Sequence, residues 1–198
     1  MPTRKILLCV DPILRRKAER VRHVNDDIRA LLDDMVATMI DAPGIGLAAP
    51  QVGDSRRCIV VREKADSEEE RIHKIVNPRV RKRQGEQWAY EGCLSLPTLQ
   101  GEVCRPLQVT VGGLDEHGEP VEVAAEGLLA RALLHEIDHL DGVLFIDRAE
   151  PDSIGWMIPD ETDEDGYRLE DATIPEVMAA FERLRQRQQQ RAQEGEHA

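Results

Sequence analysis

No apolar run in this chain approaches the roughly 18–20 residues that a membrane-spanning helix needs. The stretch Ile6-Leu7-Leu8-Cys9-Val10 near the start is too short for a secretory signal and no small-residue cleavage site follows it. A cytoplasmic chain with no membrane partner is therefore expected. Cysteine is scarce, at four residues (Cys9, Cys58, Cys93 and Cys104). Without a secretory signal these are not expected to form disulfides. Lysine is scarce too, at five residues against a majority of arginines, which reads as genome composition. Internal repeats are absent. Positive charge is in deficit, with a formal net of −12. That deficit is local. Residues 151–172 hold eight acids against Arg168, a net of −7, and residues 63–71 hold five acids against Lys64 and Arg71, a net of −3. Together they account for −10, leaving −2 for the rest, so the acidity belongs to two segments read as loops. An acidic total disfavours nonspecific nucleic-acid binding by the whole surface but allows a local basic patch.

What remains is ordinary for a globular protein: 198 residues, 41% hydrophobic and 32% charged, enough for one domain with a real core. Asn25 to Ala42 predicts a first helix, capped by Asn25, with Asp26 and Asp27 at the positive end of the dipole. Ile28, Leu31, Leu32, Met35 and Met39 form its apolar stripe, and Pro43-Gly44 ends it. Cys58-Ile59-Val60-Val61 predicts a buried strand. Ile72 to Val80 predicts another, interrupted or edged at Pro78. Leu107, Val109 and Val111 alternate as a half-buried strand does, and Val121-Glu122-Val123 returns after a turn at 115–118. Leu128 to Leu140 reads as an apolar helix stopped by Gly142. Residues 1–150 are expected to form the main domain, and 151–172 an acidic irregular segment. In 173–198, Thr173-x-x-Glu176 resembles a capping box opening a C-terminal helix with the stripe Ile174, Val177, Met178, Phe181 and Leu184. A polar tail comes after it, its last dozen residues expected to fray.

The most informative stretch is His135-Glu136-Ile137-Asp138-His139, an H-E-x-x-H pattern inside the apolar helix. Residues four apart share a helix face, so two imidazoles can hold one metal ion with a carboxylate beside them to manage a proton. The bland alternative is a pair of surface histidines. It explains poorly why Leu128 and Ala132 lie on the same side as His135. A catalytic site needs a third protein ligand and one open position. No third His or Glu follows at the usual zinc-peptidase spacing. Cys93, in Glu91-Gly92-Cys93-Leu94-Ser95-Leu96-Pro97, is the candidate, against the alternative of a buried structural thiol.

Three segments together resemble the peptide deformylase family: Gly44-Ile45-Gly46-Leu47-Ala48-Ala49-Pro50-Gln51, Glu91-Gly92-Cys93-Leu94-Ser95, and His135 to His139. Asp11-Pro12-x-Leu14-Arg15 and Leu140-Asp141-Gly142 are similar to it as well. The resemblance spans roughly residues 5–148. It implies an α+β fold with short antiparallel sheets around a central metal-binding helix, flanked by an N-terminal and a C-terminal helix. It implies removal of the N-formyl group from formyl-methionine of nascent polypeptides, with release of formate. Cys93, His135 and His139 would hold a divalent metal, Fe(II) natively, with Zn, Ni or Co as substitutes. Glu136 would carry the proton, while the Gln51 amide and the Leu94 backbone N–H would steady the oxyanion. Gly44, Ile45, Gly46, Leu128 and Ala132 would form the methionine pocket. Arg131 would either rim that pocket or snorkel outward, with the outward position favoured. One departure is Thr98, where members often have Gly. Some members dock a C-terminal helix on the ribosome, which would use Arg183, Arg185, Arg187 and Arg191 here; the alternative is a helix packed on the domain. Two rival functions remain: hydrolysis of another N-acyl peptide, and a catalytically inactive ribosome-associated protein.

Overall fold

The Asn25 side chain accepts from the Ile28 N–H at 3.1 Å and opens helix α1, Asp26–Asp41. The stripe read from the sequence is the buried face of α1. The protein is described here by a computed structural model covering residues 2–163 and 166–195, with the side chains of 191–195 excepted. Two further α-helices follow among the described residues, α2 (Gly127–Leu140) and α3 (Ile174–Gly195). The strands are β1 (Gly46–Ala48), β2 (Cys58–Glu63), β3 (Arg71–Gln84), β4 (Gln87–Cys93), β5 (Leu96–Arg105), β6 (Gln108–Leu114), β7 (Pro120–Glu126), β8 (Gly155–Pro159) and β9 (Tyr167–Asp171). They form two antiparallel sheets, ordered β1-β2-β3-β6-β7 and β4-β5-β8-β9. This is the expected α+β arrangement.

The unbroken apolar run Cys58 to Val61 has a simple cause. Side chains alternate along a strand. Cys58 and Val60 pack with α1, whereas Ile59 and Val61 pack with α2, so both faces of β2 are covered. Asn77 and Pro78 interrupt β3 as expected: the register slips between Val76 and Arg79, and the Asn77 side chain bonds both Val21 N–H and Val21 C=O, at 2.9 and 2.8 Å. Gly142 ends α2 with φ +76°, and a Cβ there would stand 2.8 Å from the Arg15 carbonyl, so no larger residue fits.

The segment 151–172 is not irregular. After a short turn it forms the β8–β9 hairpin, laid against β5 through Leu99↔Trp156 and Gln100↔Gly155. Trp156, Met157 and Ile158 supply strand-forming side chains, and the acids Asp160, Glu161 and Asp163 follow β8 directly, which hid the strands in the charge pattern. Thr173 and Glu176 do form a cap, with Thr173 N–H and Oγ1 both donating to Glu176 Oε2 at 2.9 and 2.7 Å. Val177 and Phe181 are buried in a cluster with Leu99, Phe145 and Ile154, and Met178 packs against it, so the middle of the α3 stripe packs on the domain while its ends, Ile174 and Leu184, stay exposed. Each buried side chain stabilises the fold by roughly 1.5–3 kcal/mol. Helix α3 continues through Gly195, beyond the expected fraying point, because its Gln, Arg, Ala and Glu residues are strong helix formers. Residues 196–198 lie outside the described residues.

Candidate active site

Helix α2 projects His135 and His139 from one face, four residues apart, and β4 ends at Cys93 beside them. Cys93 Sγ lies 3.2 Å from His139 Nε2. One ligand atom from each of Cys93, His135 and His139 falls within 4.8 Å of the others. The three residues therefore stand at metal-ligand spacing, and a thiolate with two imidazoles is a donor set for borderline divalent metals.

The protonation pattern fits a cation as well. Burial, then the neighbouring His135, hold His139 well below the ordinary imidazole value, so its lone pair is available. Burial would lower His135, but hydrogen bonds to Cys93 and Glu91 overcome it and hold this imidazole high. The proton held there is the one a metal would replace. Burial also pushes the Glu136 carboxyl up to about 7. Glu136 Oε2 and His139 Nδ1 are buried without a hydrogen-bond partner among the described residues. In a site otherwise rich in bonds, an orphaned carboxylate oxygen on the residue that follows His135 fits a group that would act on a water held by a metal.

Beneath the ligands lies an ion network built on Glu91, Arg105 and Asp138, none of which the sequence singles out for a role. Glu91 Oε2 faces His135 Nδ1 at 2.9 Å, which fixes the ring and turns Nε2 toward the cluster. The same carboxylate accepts from Arg105 Nε and Nη2, each at 2.8 Å, and from Arg131 Nη1 at 2.6 Å. Arg105 also pairs with Asp138, which Arg148 grips with two bonds of 2.6 and 2.7 Å. Burial alone would raise the Glu91 pKa, but the bonds from Arg105 and His135 hold it well below the carboxylate range. Arg131 does not snorkel outward. It is 5% exposed and also donates to the carbonyls of Val103, Gln87 and Ala89, so buried acceptors replace water around its guanidinium. Glu91 stands two residues before Cys93, and Asp138 directly precedes His139. Those adjacencies were the available signal, but the arginine partners come from elsewhere in the chain.

A cavity of about 570 Å³ opens over the site. Gly44, Ile45, Gly46, Gln51, Cys93, Leu94, Ala132, His135 and Glu136 all border it. Leu128 borders it too but is 66% exposed, which puts it at the mouth. His139 is 1% exposed and is not among the bordering residues. Gly46 is sterically required, whereas at Gly44 only the movable end of Leu94 would have to shift. A Cβ on Gly46 would stand 2.4 Å from Glu136 Oε1, and one on Gly44 would stand 2.8 Å from Leu94 Cδ1. Gln51 is locked by its Oε1 accepting from Ala48 N–H at 2.8 Å, while its Nε2 points at Ser95 Oγ (3.3 Å) and Cys93 Sγ (3.5 Å). Thr98 borders the cavity with φ +61°, a left-handed conformation that costs a β-branched residue energy and that Gly would adopt freely. Tyr90 and Met157 also border the cavity, and nothing in the sequence singles out either one.

The family model described as polypeptide deformylase matches residues 3–153. A peptide deformylase of Natranaerobius thermophilus is 52% identical over 151 residues, which is 76% of this chain and 94% of that protein. One from Thermomicrobium roseum is 47% identical over 168 residues, 83% of this chain and 96% of that protein. Among solved structures, a peptide deformylase from Synechococcus elongatus in complex with actinonin superposes with a TM-score of 0.72 at 41% identity, covering 76% of this chain and 82% of that one. One from Legionella pneumophila gives 0.71 at 45% identity, covering 75% and 87%. No helix among the described residues is long and apolar enough to cross a membrane. This chain belongs to the peptide deformylase family, the metal-dependent hydrolases that remove the N-formyl group from the formyl-methionine of nascent polypeptides and release formate.

Proposed function

We propose that this chain performs that hydrolysis in the cytoplasm with Glu136 as proton carrier, Cys93, His135 and His139 as metal ligands, and Gln51 with the Leu94 N–H as oxyanion donors. The observation that carries the reading is that Glu136, Cys93, His135, Gln51 and Leu94 border one cavity, with His139 buried at ligand spacing from Cys93 and His135. A bound divalent cation supplies Lewis acidity and a competent water nucleophile near neutral pH. The chain's residues do the rest. Glu136 accepts the proton of the attacking water and passes it to the departing amine, and its raised pKa suits both halves of that task. Gln51 can offer Nε2 because its oxygen is already committed to Ala48. Each oxyanion donor is typically worth roughly 3–4 kcal/mol.

The methionine side chain enters between Gly44, Ile45 and Gly46 on one side and Ala132 and Leu128 on the other. Strands β1 and β4 each end their sheet, and residues from both border the cavity. A substrate backbone in extended form can therefore pair with exposed strand edges beside the reacting carbonyl. Fe(II) is the proposed native ion, with Zn, Ni or Co as substitutes, since a thiolate and two imidazoles accept all four. Anaerobic purification with elemental analysis tests this: iron content and activity that both fall on exposure to air support it, whereas zinc with air-stable turnover contradicts it.

The substrate test is a panel of formyl-, acetyl- and free-amine Met peptides. Turnover confined to the formyl series is expected, and equal turnover of acetyl-Met peptides would sink the assignment. A ribosomal contact through α3 is a second reading. It is supported by exposed Arg183 and Arg187, which form no ion pair among the described residues, and its ligand would be rRNA phosphate. The Arg191 side chain lies outside the described residues, and Arg185 pairs with Glu182. Charge reversal at Arg183 and Arg187 should weaken ribosome co-sedimentation; unchanged sedimentation at low salt removes this reading.

A further inference from the structure

The family match ends at residue 153, and β8 starts at Gly155. The chain beyond that point is nonetheless built into the catalytic cavity. Met157, in the middle of β8, borders the cavity together with Thr98 and Leu99 of β5. The hairpin is held there from three sides. Leu99 pairs with Trp156 in the sheet register, and Tyr167 of β9 donates its hydroxyl to Gln100 Oε1 at 3.2 Å. From α3, the Phe181 ring packs on Trp156 with centroids 5.6 Å apart. Alternation along β8 separates the roles, with Trp156 turned to the Phe181 contact and its neighbour Met157 turned to the cavity.

We infer that the β8–β9 hairpin is a substrate-selecting wall, and that Met157 takes an apolar side chain from the second residue of the formyl peptide. The inference rests on the deformylase reading above. The direction comes from strand geometry. Successive side chains of an extended peptide point to opposite sides. If the formyl-methionine side chain points to the α2 side, at Ala132 and Leu128, the next side chain points away from it, toward the β5–β8 side where Met157 lies. A thioether on an unbranched chain adapts to several apolar shapes, so the preference is for a class of residue and not for one residue.

The test is a series of formyl-Met-X-Ser peptides with X as Gly, Leu, Phe, Lys or Glu, assayed with the metal-loaded full chain. The expected gain in kcat/KM for X = Leu over X = Gly is about fivefold, carried by KM with kcat unchanged, as partial burial of one apolar side chain gives. In Met157→Ser the gain should fall below twofold, and Met157→Leu should restore it. Met157→Glu should turn the preference toward X = Lys, a readout that mere loss of packing would not produce. Wild-type turnover indifferent to X, or a gain that survives Met157→Ser, overturns the hairpin inference and leaves deformylation standing. No turnover of any formyl peptide overturns both.

Discussion

Glu91 is where a single atom change should damage both stability and metal binding. In Glu91→Gln the shape is retained but the charge is lost, and an NH₂ replaces one of the two oxygens that accept from Arg105, Arg131 and His135. The carboxylate is 5% exposed, so water cannot replace the lost partner. Removing one member of a buried ion pair costs about 3–5 kcal/mol, a large part of the roughly 5–15 kcal/mol that holds a typical domain together. Loss of the partner that orients His135 should also weaken the metal by about 10–100-fold, equivalent to roughly 1.4–2.8 kcal/mol. Urea unfolding with and without chelator, plus competitive metal titration, separates the two effects. The pH dependence gives an independent check. Glu91 is held far below its ordinary value of 4.5, so its contribution is complete above that pH and is lost as pH falls. The stability gap between wild type and Glu91→Gln should therefore narrow on acidification below about pH 4.5. A variant within about 1 kcal/mol of wild type, with unchanged metal affinity, would refute the ion network as a support for His135.

Other substitutions test separate parts of the site. Gly46→Ala puts a methyl where Glu136 Oε1 lies, and the displaced carboxylate should cost about 100-fold in kcat while the thermal midpoint barely moves; near-normal kcat would contradict the close approach. Thr98→Gly should raise stability by about 1 kcal/mol by relieving the left-handed β-branched residue, and a fall in the urea midpoint would show that the strain is illusory. Phe181→Ala empties a buried site against Trp156 and should cost about 3–4 kcal/mol; a cost below about 1 kcal/mol would mean that α3 does not buttress the hairpin.

Local signals in the sequence are legible. Asn25 as a cap, the α1 stripe, the doubly covered run Cys58–Val61 and the break at Pro78 each depend on neighbours a few residues away, and each stands as expected. The H-E-x-x-H helix places two ligand candidates by spacing alone, whereas Cys93 needs the family resemblance to be chosen over a buried thiol. What stays hidden is non-local. Arg131 reads as a surface cation in the sequence, yet Glu91 and three strand carbonyls surround it. Met157 and its strand are obscured by the acids around them, and only pairing with β5 shows why an acidic stretch carries Trp156, Met157 and Ile158. Thr98 holds a positive φ, a conformation that its sequence does not announce and that Gly would adopt freely.

The central claim is that Glu136 moves the proton while Cys93, His135 and His139 hold the metal. Elemental analysis and formyl-Met-peptide turnover on the same preparations of wild type and Glu136→Ala test it most directly. One metal per chain in both, with turnover in the variant lower by two or more orders of magnitude (about 10²–10⁴-fold), is the predicted result. An unchanged rate in Glu136→Ala, or loss of the metal along with activity, would contradict it.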